Sequence, residues 1–545
     1  MGRLVRVVFV LLALVCAATV DPSVGARQGH RLSSGPLRAA RGDRVVVEVF
    51  HTLSDAQARR GVERAGGRVS GLVPGVLVQA DVPVRNLATL ESTSGITFIR
   101  PPRRINVVPA DADGPSAGNR RRGRGGLVGQ EVTKTNAAAW QAAGQRAGGV
   151  KIGIVDLFSR KKYSKAQRRK QVPTPAGTVC FFQGAPCDVF SVSDPHEAHG
   201  TAVAEVVHEM APDAQLFLAT AVTAADLQLV VNTFVAQGVK IVTRSLTSEY
   251  DGPGDGQGPV GAVIDSAVAG GITWFNSAGN SAGNGVFPRS GAYYRGTFTD
   301  TNGNGFHEFA PGAETLGLPC FVFTHGLRWD DFNEATANVT DFDLVEVDAA
   351  GNVLDVAEDR QGSAGGTAPP LENFAQGGTT CSEFGSQPIV FIGIRLIAPG
   401  SGANDVIEFQ NNGGPMTFSS NPFSAAVPAC DSKNPGLVCV GAIDPPLGVQ
   451  IASYSSQGPT NDGRIKPDVS IASCVKTISF KACFNGTSAA SPAAAGAAAL
   501  MLGAGLGGGT PAGLGDLVRA TVVDRGAPGP DNLFGTGEVI LPAPP

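Results

Sequence analysis

The sequence has 545 residues, too many for one ordinary compact core, so more than one folded unit is expected. Hydrophobic residues make up 42% and charged residues 17%, a globular balance, while 72 Gly and 37 Pro point to many turns and long loops rather than long helices. The net charge of −4 hides an asymmetry: residues 1–126 hold 19 Arg, no Lys and 9 acidic residues, a net +10, which leaves −14 on the rest and argues against nucleic acid as a partner.

At the N-terminus, Arg3 and Arg6 precede an apolar run over 7–18, with small residues at Ala17, Ala18, Gly25 and Ala26. This charged, apolar, small order is that of a secretory signal peptide over 1–26. The run is shorter than the ~20 apolar residues of a spanning helix. No membrane anchor is therefore expected, and the protein is expected to be secreted to the extracellular space. With Cys16 lost in the signal, eight cysteines remain, an even number that suggests four disulfides in an exported chain. Pairing nearest neighbours gives Cys180 with Cys187, Cys430 with Cys439, Cys474 with Cys483 and Cys320 with Cys381. Metal binding has no C-x2-C pair to support it.

Residues 43–108 read as a small unit of their own: a strand over 45–50, a helix over 54–66, a strand over 75–82, a helix over 84–92 and a strand over 96–100. This β-α-β-α-β order suits a small α/β sandwich. The run 111–126, with four Arg among Gly and Asn, reads as a solvated, cleavable linker.

From Val150 onward strands alternate with helices. Strands are expected over 151–155, 214–222, 239–243 and 272–276, and helices over 199–210, 226–237 and 260–269. Such alternation implies a parallel sheet covered on both faces, with sites outside the carboxyl ends of its strands. Between 293 and 422 helical periodicity stops, and strands are expected over 321–323, 342–347 and 390–397 between Gly- and Asn-rich turns. An all-β, sandwich-like module over 290–425 is thus inserted in an α/β domain over 127–545. An Ala-rich helix over 487–501 and a Pro- and Gly-rich tail close the chain.

Three local patterns carry chemistry. Ile154-Val155-Asp156 puts an acid at the end of a buried strand. His199-Gly200-Thr201 puts a histidine at a helix start, and Gly486-Thr487-Ser488-Ala489-Ala490-Ser491-Pro492 does the same for a serine among small residues. A serine hydroxyl becomes nucleophilic when an imidazole takes its proton, and an aspartate fixes the imidazole tautomer and stabilises the imidazolium. A helix N-terminus places partial positive charge where an oxyanion develops. Ser277-Ala278-Gly279-Asn280 adds a loop amide that could donate to the same oxyanion. Asp194 competes with Asp156, and His196 with His199, but neither has the strand-end or Gly-Thr context.

These segments, in the order Asp, His, Ser, resemble the subtilases. The resemblance runs from about residue 43 to the end, apart from the β module. It implies a subtilisin-like fold and a secreted serine endopeptidase working through an acyl-enzyme. Asp156, His199 and Ser488 would be its triad, and Asn280 its oxyanion donor. Ser245, Leu246 and Thr247, with Ser277, Ala278 and Gly279, would bind substrate. It also implies a propeptide over 27–126, folded over 43–108, acting as an intramolecular inhibitor in a self-processing zymogen. Partners would be protein or peptide substrates, with neither nucleic acid nor a membrane anchor. No cofactor is required, and calcium would be structural: Asp300-Thr301-Asn302-Gly303-Asn304-Gly305 has the first half of a calcium loop, though a tight Asn/Gly turn is the favoured reading. Leu157 and Phe158 stand where the family has a small residue and Gly, and Thr247 where Gly is common. The Leu157-Phe158 departure motivates an alternative, a catalytically inactive subtilase acting as a binding module, while Thr247 could narrow the pocket.

Overall fold

The computed structural model describes residues 43–105 and 129–545, apart from 193–196, 285–286, 288, 321, 375–388, 401–403, 445–448 and 481–482. The signal segment, most of the Arg/Gly linker, Asp194, His196 and Cys381 lie outside the described residues.

Residues 44–100 form a four-stranded antiparallel sheet. Its order is Arg68–Val73, Leu77–Pro83, Arg44–His51, Ile96–Arg100, with the helices Asp55–Arg64 and Leu87–Glu91. One strand more is present than the sequence suggests. Arg68–Val73 is an edge strand whose register shifts between Val69 and Gly71, so it lacks the unbroken apolar run that marks its neighbours.

The large sheet has eleven strands. From one edge the order is Val522–Val523, Glu538–Val539, Val469–Ala472, Leu437–Asp444, Thr273–Ser277, Ile241–Arg244, Lys151–Val155, Gln215–Ala221, Gly177–Phe182 and Ala185–Pro186, with Gln450–Ile451 paired to Leu437–Asp444. From Gly177–Phe182 to Glu538–Val539 neighbours run parallel, and the outermost pairs are antiparallel. Alternate strand residues serve opposite faces. Leu216 and Leu218 join Ile152 and Ile154 in a core with the helices His199–Met210, Thr487–Gly503 and Pro511–Ala520. Phe217, Ala219 and Val155 face the helices Ala224–Gln237 and Pro259–Ala269. Val73, Leu77 and Ile105 share that second core, so the small N-terminal unit rests on the same pair of helices.

Between Tyr293 and Asn411 the chain forms two four-stranded antiparallel sheets that bury one apolar core, Leu327, Trp329 and Phe409 from one against Leu318, Phe342 and Ile392 from the other. Val322 and Phe323, expected in a strand over 321–323, lie outside the strands. Strands run instead over Leu316–Pro319 and Thr324–Trp329, one in each sheet. Val322 N donates to Pro319 O in a turn between them, and its side chain is apolar because it is buried beneath that crossing. Three expected disulfides are present: Cys180–Cys187, Cys430–Cys439 and Cys474–Cys483.

Candidate active site

The strand Lys151–Val155 delivers Asp156 to the carboxyl edge of the sheet, fully buried. Its backbone stays paired, Asp156 N donating to Ala219 O at 2.9 Å and Thr220 Oγ1 donating to Asp156 O at 2.7 Å. Asp156 Oδ1 accepts from Leu157 N at 2.7 Å and lies 2.8 Å from His199 Nδ1. With a carboxylate at Nδ1, the imidazole carries its proton there and presents Nε2 as the basic atom.

His199 opens its helix, and the next residue has to be small. A Cβ at Gly200 would lie 2.4 Å from Leu157 O, and Gly200 N donates to that oxygen at 3.1 Å. The unusual Leu157-Phe158 pair is thereby explained by packing. Leu157 serves through its backbone, and Phe158 is buried edge-on against Tyr163 and Phe190. Phe484 presses against His199 on the other side, with ring centroids 5.5 Å apart at 84°.

Ser488 sits in the first turn of Thr487–Gly503, behind Gly486 at φ 85°, a left-handed conformation that favours glycine. Pro492 has no N–H for the carbonyl four residues back, and Ser245 Oγ takes over by donating to Ser488 O at 2.9 Å. Ser488 Oγ in turn donates to Ser245 O at 3.3 Å. The helix carrying Ser488 lies directly along the helix carrying His199: a Cβ at Gly496 would come 2.4 Å from Met210 Cβ.

Asn280 is reached through Gly279, at φ 100°, whose N–H donates to Thr487 Oγ1 at 3.1 Å. Its amide oxygen accepts from Thr487 N and from Thr487 Oγ1, both at 3.0 Å. That fixes which half of the carboxamide is a donor, and Nδ2 lies 2.9 Å from where a Cβ on Gly486 would stand. Ser277 and Ala278 are buried beneath this turn, Ala278 N donating to Val440 O. The expected residues thus fall into two hydrogen-bonded groups, Asp156 with His199 and Ser245 with Ser488, Thr487 and Asn280, on helices packed side by side.

Leu246 and Thr247 continue from Ser245 and are buried. The Thr247 hydroxyl is 3.1 Å from His325 Nε2, in the antiparallel sheets. Burial lowers the His325 pKa to about 4, so this contact is made by a neutral ring at neutral pH. Along the same segment runs the end of the N-terminal unit: Glu249 N donates to Arg104 O at 3.0 Å and Ile105 N to Val222 O at 3.1 Å.

Sequence reasoning missed three residues here: Phe484, His325 and Arg244. The Arg244 guanidinium is buried and donates to Leu246 O at 3.1 Å, Ser248 Oγ at 2.8 Å and Asn276 Oδ1 at 3.2 Å, and also to Ile105 O. Burial lowers its pKa to about 10, which leaves it charged at neutral pH while it orders the segment after its strand. A cation ending the apolar run Ile241-Val242-Thr243 was the available signal.

The family model described as the Subtilase family matches residues 329–537. That match covers well under half of the chain and marks this part as similar to the subtilases. It contains Ser488, while Asp156, His199 and Asn280 precede it. No curated protein matches the sequence. Among solved structures, a mutant of the Staphylococcus aureus epidermin leader peptide processing serine protease (EpiP) is 13% identical with a TM-score of 0.50, over 91% of this chain and 97% of that one. The Clostridium perfringens CspB protease is 14% identical with a TM-score of 0.49, over 75% of this chain and 95% of that one. At such identity the likeness to EpiP concerns the fold alone. Among the described residues no helix is long and apolar enough to cross a membrane.

Proposed function

We propose that this protein is a secreted, subtilisin-like serine endopeptidase in which Ser488 attacks the scissile carbonyl, His199 takes the serine proton and Asp156 holds the imidazole. The observation that carries the reading is the 2.8 Å contact of Asp156 with His199, which opens a helix packed against the one that carries Ser488 in its first turn. Asn280 Nδ2 and the Ser488 backbone N–H donate to the oxyanion, an acyl-enzyme forms and water releases it. His199 returns its proton to the leaving amine. The steps are proton transfers and acyl transfer by side chains, so none calls on a cofactor. Asp300 closes its own turn, accepting from Gly303 N and Gly305 N at 2.8 Å, and any calcium there would be structural.

The body over 127–545 is read as the catalytic domain, with the sheets inside 290–425 as an inserted unit and residues 27–126 as a propeptide. Support for the last comes from residues 103–105, which lie along Glu249–Tyr250 where a substrate backbone would pair. Three disulfides support export. The inactive reading loses its motive, since Leu157-Phe158 has a packing reason.

A serine-directed phosphonate tests the assignment. Applied to the processed protein, it should leave its adduct on Ser488, and His199→Ala should remove labelling from a folded chain. An adduct elsewhere, or none on the folded wild type, would overturn the assignment.

A further inference from the structure

The helix His199–Met210 carries an acid that the proposed chemistry does not use. Glu205 follows His199 by just under two helical turns and is fully buried. Both of its carboxylate oxygens are engaged by one loop: Oε2 accepts from Ile478 N at 2.6 Å and Oε1 from the Ser479 hydroxyl. A carboxylate is costly to bury without such donors, so this one holds the loop to the helix.

The same loop comes back to the helix at His199. Val475 and Phe484 exchange backbone hydrogen bonds, 2.8 Å in each direction, and the disulfide Cys474–Cys483 closes the loop beside them. Phe480 stacks on Phe484 with ring centroids 5.1 Å apart, and Phe484 packs against the His199 ring at 84°. The loop therefore grips the helix twice, through Glu205 and through the imidazole. Its stem also reaches the start of the other helix. Ser473 Oγ donates to Gly486 O at 2.8 Å, and Gly486 N donates to Tyr454 OH at 3.0 Å, just ahead of Ser488.

We infer that Glu205 is a positioning residue for the proposed hydrolysis, tying the helix that begins at His199 to the loop whose Phe484 holds the plane of the imidazole. The inference rests on the endopeptidase reading above. Asp156 fixes the ring at Nδ1, which still allows a tilt about that contact, and Phe484 limits the tilt. Without the Glu205 carboxylate the loop keeps its disulfide and its stem but loses one of its two holds on the helix, so Phe484 can shift. Proton transfer is sensitive to displacements of about 1 Å. Charge is not what the tether needs. Burial pushes the Glu205 carboxyl up to about 7, against the pull of the Ser479 hydroxyl, the Ile478 N–H and the charge of Lys165. A carboxamide of the same length reproduces the contacts, its oxygen accepting from Ile478 N and its NH2 donating to the Ser479 hydroxyl.

The test is kcat on one peptide substrate, counted per active site by titration with the serine-directed phosphonate. Glu205→Ala should lower kcat about 10- to 100-fold with KM changed less than about threefold, and Glu205→Gln should recover most of that loss. Phe484→Ala should lower kcat as well, and adding Glu205→Ala to it should cost little more, because both act on one ring contact. An acid that only stabilises the fold would lower Tm and leave kcat per titrated site unchanged. That result overturns the inference, as do losses that add in full in the double variant. Where Glu205→Ala does not fold, Ser479→Ala removes one of the two donors and should lower kcat about three- to tenfold; an unchanged kcat there overturns the inference too. In each of these cases an active wild type leaves the endopeptidase reading standing. A folded, processed wild type that titrates no serine removes both.

Discussion

At the scale of single residues, the account depends on how Asn280 is held. Its oxygen is engaged by Thr487 N and Thr487 Oγ1, so removing the side chain deletes the proposed oxyanion donor and also frees the start of the helix that carries Ser488. Asn280→Ala should lower kcat by about 10²- to 10³-fold with a much smaller change in KM, as expected for a contact made mainly in the transition state. Steady-state kinetics on one peptide substrate checks this, and an effect confined to KM would contradict it. The placement of Asp156, His199, Ser488 and Asn280 was legible from local context: a strand end for Asp156, helix starts beside small residues for His199 and Ser488, and a Gly-containing loop after a strand for Asn280. His325 and Phe484 were not, because each acts through a neighbour distant in sequence: His325 reaches Thr247 across 78 positions.

At the scale of elements, the helix behind His199 carries an electrostatic burden that separates its stability from its chemistry. Glu131, fully buried on Gln130–Lys134, lies against Glu209 near the end of His199–Met210. Burial raises both carboxyls above their usual range, and the charge of Glu131 raises Glu209 further. A carboxyl with a raised folded pKa binds its proton more tightly folded than unfolded. Its stabilising contribution is complete below the ordinary value of 4.5 and is lost as pH rises through the folded value. Glu131→Gln removes that loss. The Tm difference between variant and parent, both carrying Ser488→Ala to prevent self-digestion, should therefore grow in favour of the variant from acidic to mildly alkaline pH. A difference independent of pH would contradict the raised value. Strands and helices with unbroken apolar periods, such as Asp341–Val347 and Pro259–Ala269, were legible. The helix Pro511–Ala520 was hidden in a Gly-rich tail, although Thr510, which accepts from Gly513 N at 3.1 Å, and Pro511 form a standard helix start. The edge strand Arg68–Val73 and the strands Leu316–Pro319 and Thr324–Trp329 were hidden because partners in other strands, not local pattern, decide them.

At the scale of the whole molecule, the N-terminal unit, the large sheet and the antiparallel sheets meet around one segment, 245–250. Alternation of strands and helices was enough to expect the parallel sheet, and the loss of helical period was enough to expect an all-β region. What composition could not supply was their meeting place, which is set by contacts such as Tyr250 with His325 and Arg104 with Glu249. Arginines of the basic front meet the body here through its backbone, the Arg103 guanidinium donating to Tyr250 O and Arg104 O accepting from Glu249 N. On the proposed propeptide reading, with residues 103–105 lying along Glu249–Tyr250, maturation would need a cut after residue 105 and ahead of the body. The most direct measurement is the purified mass of the wild type and of Ser488→Ala, each expressed with its N-terminal unit. The account predicts that only the wild type loses that unit, by a cut between residues 105 and 129. Two full-length products would contradict a self-processing protease, and two products trimmed alike would assign the cut to another enzyme.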